Sequence, residues 1–204
     1  MRQVMILALI LVSTAAPTCS DKSTRTPPPG DYFPNEVGSV WVYSVYDSLT
    51  ERSYDMTVSI ADTATLVGDT PVTLWVFAGD GNIDTMYVFV SGDTMTFHAP
   101  SSMTISRMYV FPLSVGKEWN CGQSCIWEYS VEQRGTIDVP ARPFANAYDI
   151  RGESGGFNCY GLNSEWFVPH VGPVWIYRYS FCTLYYPLVD INEIWELKSY
   201  NISP

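Results

Sequence analysis

The sequence predicts an all-β protein: an antiparallel meander forming a curled sheet, an open barrel or a sandwich. Three observations carry that prediction. Aromatic residues make up 15% of the 204 residues, and such side chains suit the pleated, half-buried surface of a strand. From Asp31 onward, apolar residues alternate with period two instead of recurring at helical spacing. Short Gly- and Asp-containing segments punctuate the chain at the intervals that tight hairpins require. With 47% hydrophobic residues there is enough apolar surface for a packed core.

The N-terminus reads as an export address. Residues 1–18 have a positive Arg2, an apolar run from Val4 to Val12 and small residues from Ser13 to Ala16, the pattern of a secretory signal peptide. The apolar run is far shorter than the roughly 20 residues a spanning helix needs. Cys19 follows, and the segment resembles the lipobox of bacterial lipoproteins, whose cysteine becomes the lipidated first residue. Ala16 and Thr18 stand where lipoboxes usually carry Leu and a small Gly, Ala or Ser. Lipidation of Cys19 also accounts for an otherwise odd exported cysteine. Residues 19–30 form the anchor cysteine and a Pro-rich tether, with Pro27 to Pro29 favouring an extended, semi-rigid spacer. Ser20, where enteric lipoproteins retained at the inner membrane carry Asp, implies outer-membrane delivery by that resemblance. Residues 31–204 are expected to form a single β domain.

A motif occurs three times in that domain. Phe33-Pro34-Asn35-Glu36-Val37-Gly38-Ser39-Val40-Trp41 and Phe111-Pro112-Leu113-Ser114-Val115-Gly116-Lys117-Glu118-Trp119 share one spacing. Val168-Pro169-His170-Val171-Gly172-Pro173-Val174-Trp175 is one residue shorter between Pro and Val. Each copy predicts an extended approach fixed by proline, a glycine bend and a Trp-led strand. The three tryptophans are expected to be largely buried in one core. The copies are unevenly spaced, which excludes a solenoid or propeller.

Strands are predicted in chain order at 39–46, 54–60, 70–77, 84–90, 94–98, 106–113, 126–133, 136–139, 145–151, 174–181 and 194–201, with 166–169 leading into the tenth. Trp41 and Tyr43 alternate with Val40 and Val42 on the first. The turn at 67–70 and that at 91–94 share Gly-Asp-Thr, and Gly79-Asp80-Gly81-Asn82 lies between them. Gly152 to Gly156 reads as a flexible glycine-rich break. On 174–181, Trp175, Tyr177 and Tyr179 form an aromatic face like that of Trp41 and Tyr43. These five rings are the candidate core or ligand-stacking aromatics, suited to sugars or an apolar pocket.

Cys121, Cys125, Cys159 and Cys182 form an even set, which in an exported protein implies disulfides. Three pairings are possible. Cys121–Cys125 across a short Gly-containing loop, with Cys159–Cys182 as the longer staple, is the favoured one. A four-thiolate zinc site would need two closely spaced pairs, and only one is present.

Catalytic signatures are sparse. Gly152-Glu153-Ser154-Gly155-Gly156 fits G-x-S-x-G and is similar to the sequence around the nucleophile of trypsin-like proteases. No helical pattern follows it, and His98 is the only histidine upstream. An exported serine hydrolase using Ser154 is therefore the alternative reading, not the leading one. Asp80-Gly81-Asn82-Ile83-Asp84 opens like a calcium loop but has Thr85 and Ser91 where that loop needs Gly and an acid. His98 and His170 lack metal-ligand spacing. No cofactor or metal is expected. The net charge of −10 repels phosphate backbones and excludes nucleic acid as a natural partner.

Tyr32-Phe33-Pro34 through Gly38 with Trp41-Val42-Tyr43, the late Trp166-Phe167-Val168-Pro169-His170-Val171-Gly172-Pro173-Val174 step and the closing Trp195-Glu196-Leu197-Lys198-Ser199-Tyr200 together resemble a broad group of uncharacterised bacterial exported lipoproteins. That group supplies no activity and no catalytic residues. A looser similarity, of architecture alone, is to open-barrel carriers of lipoproteins in the bacterial envelope. The expectation is a non-catalytic, lipid-anchored envelope protein, reaching the membrane through its N-terminal lipid. Its partner would be an envelope protein or a small apolar or glycan ligand in an aromatic-lined β cavity.

Overall fold

The computed structural model describes residues 32–66, 70–101, 103–121, 127–156, 159–182 and 190–203. The signal peptide, Cys19, the tether, Cys125 and the Gly68-Asp69 turn lie outside the described residues.

Among the described residues twelve strands follow one another: β1 (Val40–Asp47), β2 (Arg52–Leu66), β3 (Thr70–Gly79), β4 (Asn82–Ser91), β5 (Thr94–His98), β6 (Ile105–Val110), β7 (Glu118–Asn120), β8 (Trp127–Val139), β9 (Arg142–Gly156), β10 (Cys159–Val168), β11 (Gly172–Cys182) and β12 (Ile191–Asn201). They form one antiparallel sheet in the order β6-β5-β4-β3-β2-β1-β12-β11-β10-β9-β8-β7, curled into a nearly closed barrel. The first and last strands pair with each other, so the seam falls in mid-chain, between β6 and β7. Curling puts one face of every strand inside, and the expected period-two pattern follows: Trp41, Tyr43 and Val45 are buried, while Tyr46 is exposed.

The repeated motif makes the same turn in its first two copies. Ser39 N–H donates to the Glu36 carbonyl at 3.1 Å and Lys117 N–H to the Ser114 carbonyl at 3.0 Å. Gly38 and Gly116 occupy the third position with φ of 92° and 81°, the left-handed geometry of a type II turn. In the shorter copy Pro173 has no N–H to donate. Its turn moves back to Val168–Val171, closed at 3.1 Å, with His170 at φ 66°.

The motif also ties distant strands. The Trp41 indole N–H donates to the Val171 carbonyl at 2.7 Å, and the Tyr43 hydroxyl to the Pro173 carbonyl at 2.8 Å. Ahead of β1 the chain turns inward and closes one end of the barrel. Phe33 packs there against Trp75, Phe97, Tyr109 and Phe167, with ring centroids 5.3–6.1 Å apart. Asn35 Oδ1 accepts from Thr73 Oγ1 at 2.7 Å and from Trp75 Nε1 at 2.9 Å.

The structure corrects several expected elements. The strands expected at 126–133 and 136–139 are one strand, β8, because register shifts at Val131/Gln133 and Gly135/Ile137 absorb the polar interruption. The expected break at Gly152 to Gly156 is continuous β9. Gly152 is there because a Cβ would meet the Tyr129 ring at 2.8 Å, a packing demand and not a turn. β10 is ten residues long, where only its end was legible. The strand expected at 106–113 ends at Val110.

The aromatic face expected on 174–181 is also corrected. Val174 and Ile176 are the buried residues, and Trp175, Tyr177 and Tyr179 are half-buried. Large rings from β1, β3 and the N-terminal segment already occupy the interior beside the start of β11, so branched aliphatics face them. Of the three motif tryptophans only Trp41 is fully buried, at 1% exposure; Trp119 and Trp175 pack half-buried against the core.

Candidate functional site

The barrel is not filled to its open end. A cavity of about 370 Å³ lies inside it, floored by Phe33 and walled by apolar groups such as Val58, Trp75, Phe97 and Ile176. Its mouth is at the opposite end from Phe33, where Asn82, Asp84, Ser180 and Ile191 border it. That volume lies within the range of roughly 300 to 1,000 Å³ typical of small-molecule pockets. Strand alternation explains much of the lining: Tyr54, Met56 and Val58 on β2, and Trp75 and Phe77 on β3, are every-second residues of their strands.

Two polar constellations interrupt this apolar wall. The outer one is centred on Glu193 of β12. Its Oε1 accepts from the Tyr54 hydroxyl at 3.2 Å and its Oε2 from Trp195 Nε1 at 2.9 Å. The Arg178 guanidinium stands 3.6 Å from Oε2 and 5.6 Å above the Trp195 ring. Burial lowers the pKa of Arg178, and repulsion from Arg107 adds to that effect. Burial and the adjacent Glu193 push the Tyr54 phenol up to about 12, so it remains a donor at neutral pH.

The inner constellation is deeper. Arg107 of β6 borders the cavity and lies 3.5 Å from Glu165 Oε2, while its Nη1 donates to the Tyr109 hydroxyl at 3.3 Å. Glu165 is 1% exposed, its carboxyl enclosed between the Arg107 guanidinium and the Tyr109 hydroxyl. Burial raises the pKa of the Tyr43 and Tyr109 phenols well above the ordinary range. It raises Tyr129 to about 12 against the opposing field of Arg107. Asn163, also buried, lines the wall between the two constellations, directly opposite Arg178 in the β10–β11 ladder.

Among the expected site aromatics, Tyr43 lines the cavity and Tyr179 borders its mouth; Trp41 is buried in the core beside Trp75, 5.1 Å away and stacked. Trp175 and Tyr177 alternate with the buried Val174 and Ile176 and do not contribute to the lining. Arg107, Glu165, Arg178 and Glu193 were missed by the sequence reading. The available signal was charge at inward positions of otherwise alternating strands, as in Tyr177-Arg178-Tyr179.

The alternative nucleophile is not in a nucleophile elbow. Ser154 lies within β9, buried, and would touch a Cβ placed on Gly161 at 2.6 Å. His98 engages the Met103 carbonyl at 3.0 Å and Thr96 Oγ1 at 2.9 Å, and His170 stacks on Tyr32 with centroids 6.4 Å apart. Among the described residues no hydrogen bond joins Ser154 to either histidine, and no group of three or more His, Cys, Asp or Glu is placed to hold a metal ion.

Cys159 and Cys182 are direct partners in the β10–β11 ladder, although their side chains lie outside the described residues. Cys121 is buried at the end of β7 and its sulfur is engaged.

No known family matches the chain, and no curated protein is similar to it. Two solved structures are similar in shape. One is described as an exported protein with a YmcC-like fold from Bacteroides fragilis, at 14% identity and a TM-score of 0.49, covering 83% of this chain and 98% of that one. The other is described as a lipoprotein from Parabacteroides distasonis, at 16% identity and a TM-score of 0.46, covering 83% of this chain and 97% of that one. At this level of likeness neither transfers an activity, a ligand or a location.

Proposed function

We propose that this chain is an exported, lipid-anchored envelope protein, non-catalytic, that holds a small molecule with an apolar body in the lumen of its β domain. The observation that carries the reading is the cavity of about 370 Å³, apolar at its floor and walls and polar at two defined places. A structural barrel would fill that volume with side chains, since interiors pack to crystal-like density. The export signal and Cys19 support the anchoring half of the reading.

The test is displacement of a hydrophobic fluorophore, N-phenylnaphthylamine, from the purified protein. Saturable binding that is abolished in Ile176→Trp, which fills the lumen, is the expected result. No saturable binding to the unaltered protein would leave a structural role in its place. The anchor is tested separately, by an acyl mass on the mature N-terminal cysteine.

A further inference from the structure

We infer that the molecule held in the lumen carries a carboxylate, and that Arg178 takes it, with Asn163 beside it and Arg107 deeper on the wall. This rests on the lumen reading and adds the charge and direction of the ligand.

Three strands bring these donors to one place. Arg178 on β11 and Asn163 on β10 are direct ladder partners, so their side chains share one face of the sheet, and both line the cavity. Arg107 lines it from β6 and reaches across to Glu165, two residues beyond Asn163 on β10 and farther from the mouth. The arginines are open to the lumen: 40% of the Arg178 side chain and 24% of the Arg107 side chain is exposed.

Their donors are largely unspent. Among the described residues Arg178 makes no hydrogen bond; Glu193 Oε2 stands 3.6 Å away, an ion-pair distance, and that carboxylate already accepts from Tyr54 and Trp195. The Asn163 side chain makes none either. Arg107 meets Tyr109 and Glu165 through one nitrogen, Nη1. A guanidinium carries five N–H donors in a planar fork that matches a carboxylate. The charges point the same way. Glu165 is enclosed behind Arg107, Glu193 is engaged, and Asp84 stands at the mouth. Burial and then the field of Arg107 disfavour the charged form of Arg178, and an anion seated between the two arginines offsets both. A cationic head would add a third positive charge there. A neutral ester would accept hydrogen bonds but leave that repulsion in place. With the carboxylate at Arg178, the apolar body lies deeper, toward Val58, Trp75 and Phe33.

The experiment uses octanoate, methyl octanoate and octylamine as competitors of N-phenylnaphthylamine on the purified protein at neutral pH. In the unaltered protein, octanoate should displace the fluorophore at concentrations at least tenfold below the ester and the amine. The ratio of acid to ester is read within each variant, so a change in fluorophore affinity cancels. In Arg178→Leu the acid should lose its lead, falling within threefold of the ester. Arg178→Lys, which keeps the charge and loses the fork, should retain part of that lead. Arg178→Gln replaces the Leu variant if that one does not fold, with the same expected loss. The ester or the amine equalling octanoate in the unaltered protein, or a preference for the acid that survives removal of the Arg178 charge, would overturn the inference. Saturable binding of the fluorophore with no such preference leaves the lumen reading standing; absence of all binding removes both.

Discussion

The indole N–H of Trp119 on β7 donates a 2.9 Å hydrogen bond to the carbonyl of Met108 on β6, across the one place where the curled sheet has two edges. A backbone hydrogen bond from Met108 also reaches the Tyr129 phenol of β8. The edge strand is thus satisfied by side chains where a neighbouring strand would otherwise pair, which protects it from edge-to-edge association.

Trp119→Phe should keep the stacking on Tyr129, whose ring centroid is 5.4 Å away, and lose only the donor. The expected cost is about 1 kcal/mol in urea unfolding. Amide exchange should accelerate first on β6. Uniform acceleration over the whole sheet would show that the seam is not held by this bond.

The Arg107–Glu165 pair is asymmetric, with 24% of the arginine side chain exposed and 1% of the glutamate. Removing the arginine strands a buried carboxyl, whereas removing the glutamate leaves a guanidinium that still reaches the lumen. Arg107→Met should therefore cost about 3–5 kcal/mol and Glu165→Met clearly less, with the double variant more stable than Arg107→Met alone. Chemical denaturation of all four proteins gives the cycle, and strict additivity would contradict the coupling.

Sequence alone made the fold legible wherever alternation was unbroken. Trp41-Val42-Tyr43 and the Gly-Asp turns identified strands and hairpins without help, and positive φ at Gly38 and Gly116 matches the bend read from the motif. Local pattern could not distinguish a glycine that makes a turn from one that clears space for a ring, so Gly152 and Gly161 concealed the run from β9 into β10. Nor could it choose which face of β11 turns inward. That choice depends on Trp41 and Tyr43, 130 residues away in sequence, hydrogen-bonding the Val171 and Pro173 carbonyls. The lumen was invisible for the same reason. Arg107, Glu165 and Arg178 each resemble an ordinary strand residue until the curl brings their faces together.

The ladder register places Cys159 directly opposite Cys182. Directly opposed residues of an antiparallel pair have Cα atoms about 4.5–5.5 Å apart, compatible with a bridge. We predict that peptide mapping without reductant yields a linked Cys159–Cys182 peptide, and that its loss on reduction costs about 3 kcal/mol. A map linking either residue to Cys121 or Cys125 would refute the pairing.

Ser154 is a packing residue in this geometry. Ser154→Ala should change stability by less than about 0.5 kcal/mol, and the unaltered protein should not react with a fluorophosphonate probe. Gly161→Ala should be far worse, because its Cβ would come within 2.6 Å of Ser154 Oγ and 2.8 Å of the Trp127 ring. Overpacking of that kind costs about 1–3 kcal/mol. Labelling of Ser154 by the probe would restore the hydrolase reading.

Asn35 tests how the closed end is held. Its side-chain oxygen accepts from both Thr73 and Trp75, and Trp75 in turn packs on Phe33 at 5.4 Å and stacks on Trp41 at 5.1 Å. Asn35→Ala removes one acceptor and strands two donors, an expected loss of about 1–3 kcal/mol for a single amide. Asn35→Asp keeps the acceptor and should recover most of that loss at neutral pH. Phe33→Ala removes the floor itself and should cost about 3–5 kcal/mol. Because Phe33 lines the lumen, that variant should also change fluorophore affinity, whereas Asn35→Asp should leave it unchanged. Equal effects of Asn35→Asp and Asn35→Ala on stability would show that the acceptor is not what fastens the N-terminal segment to the sheet.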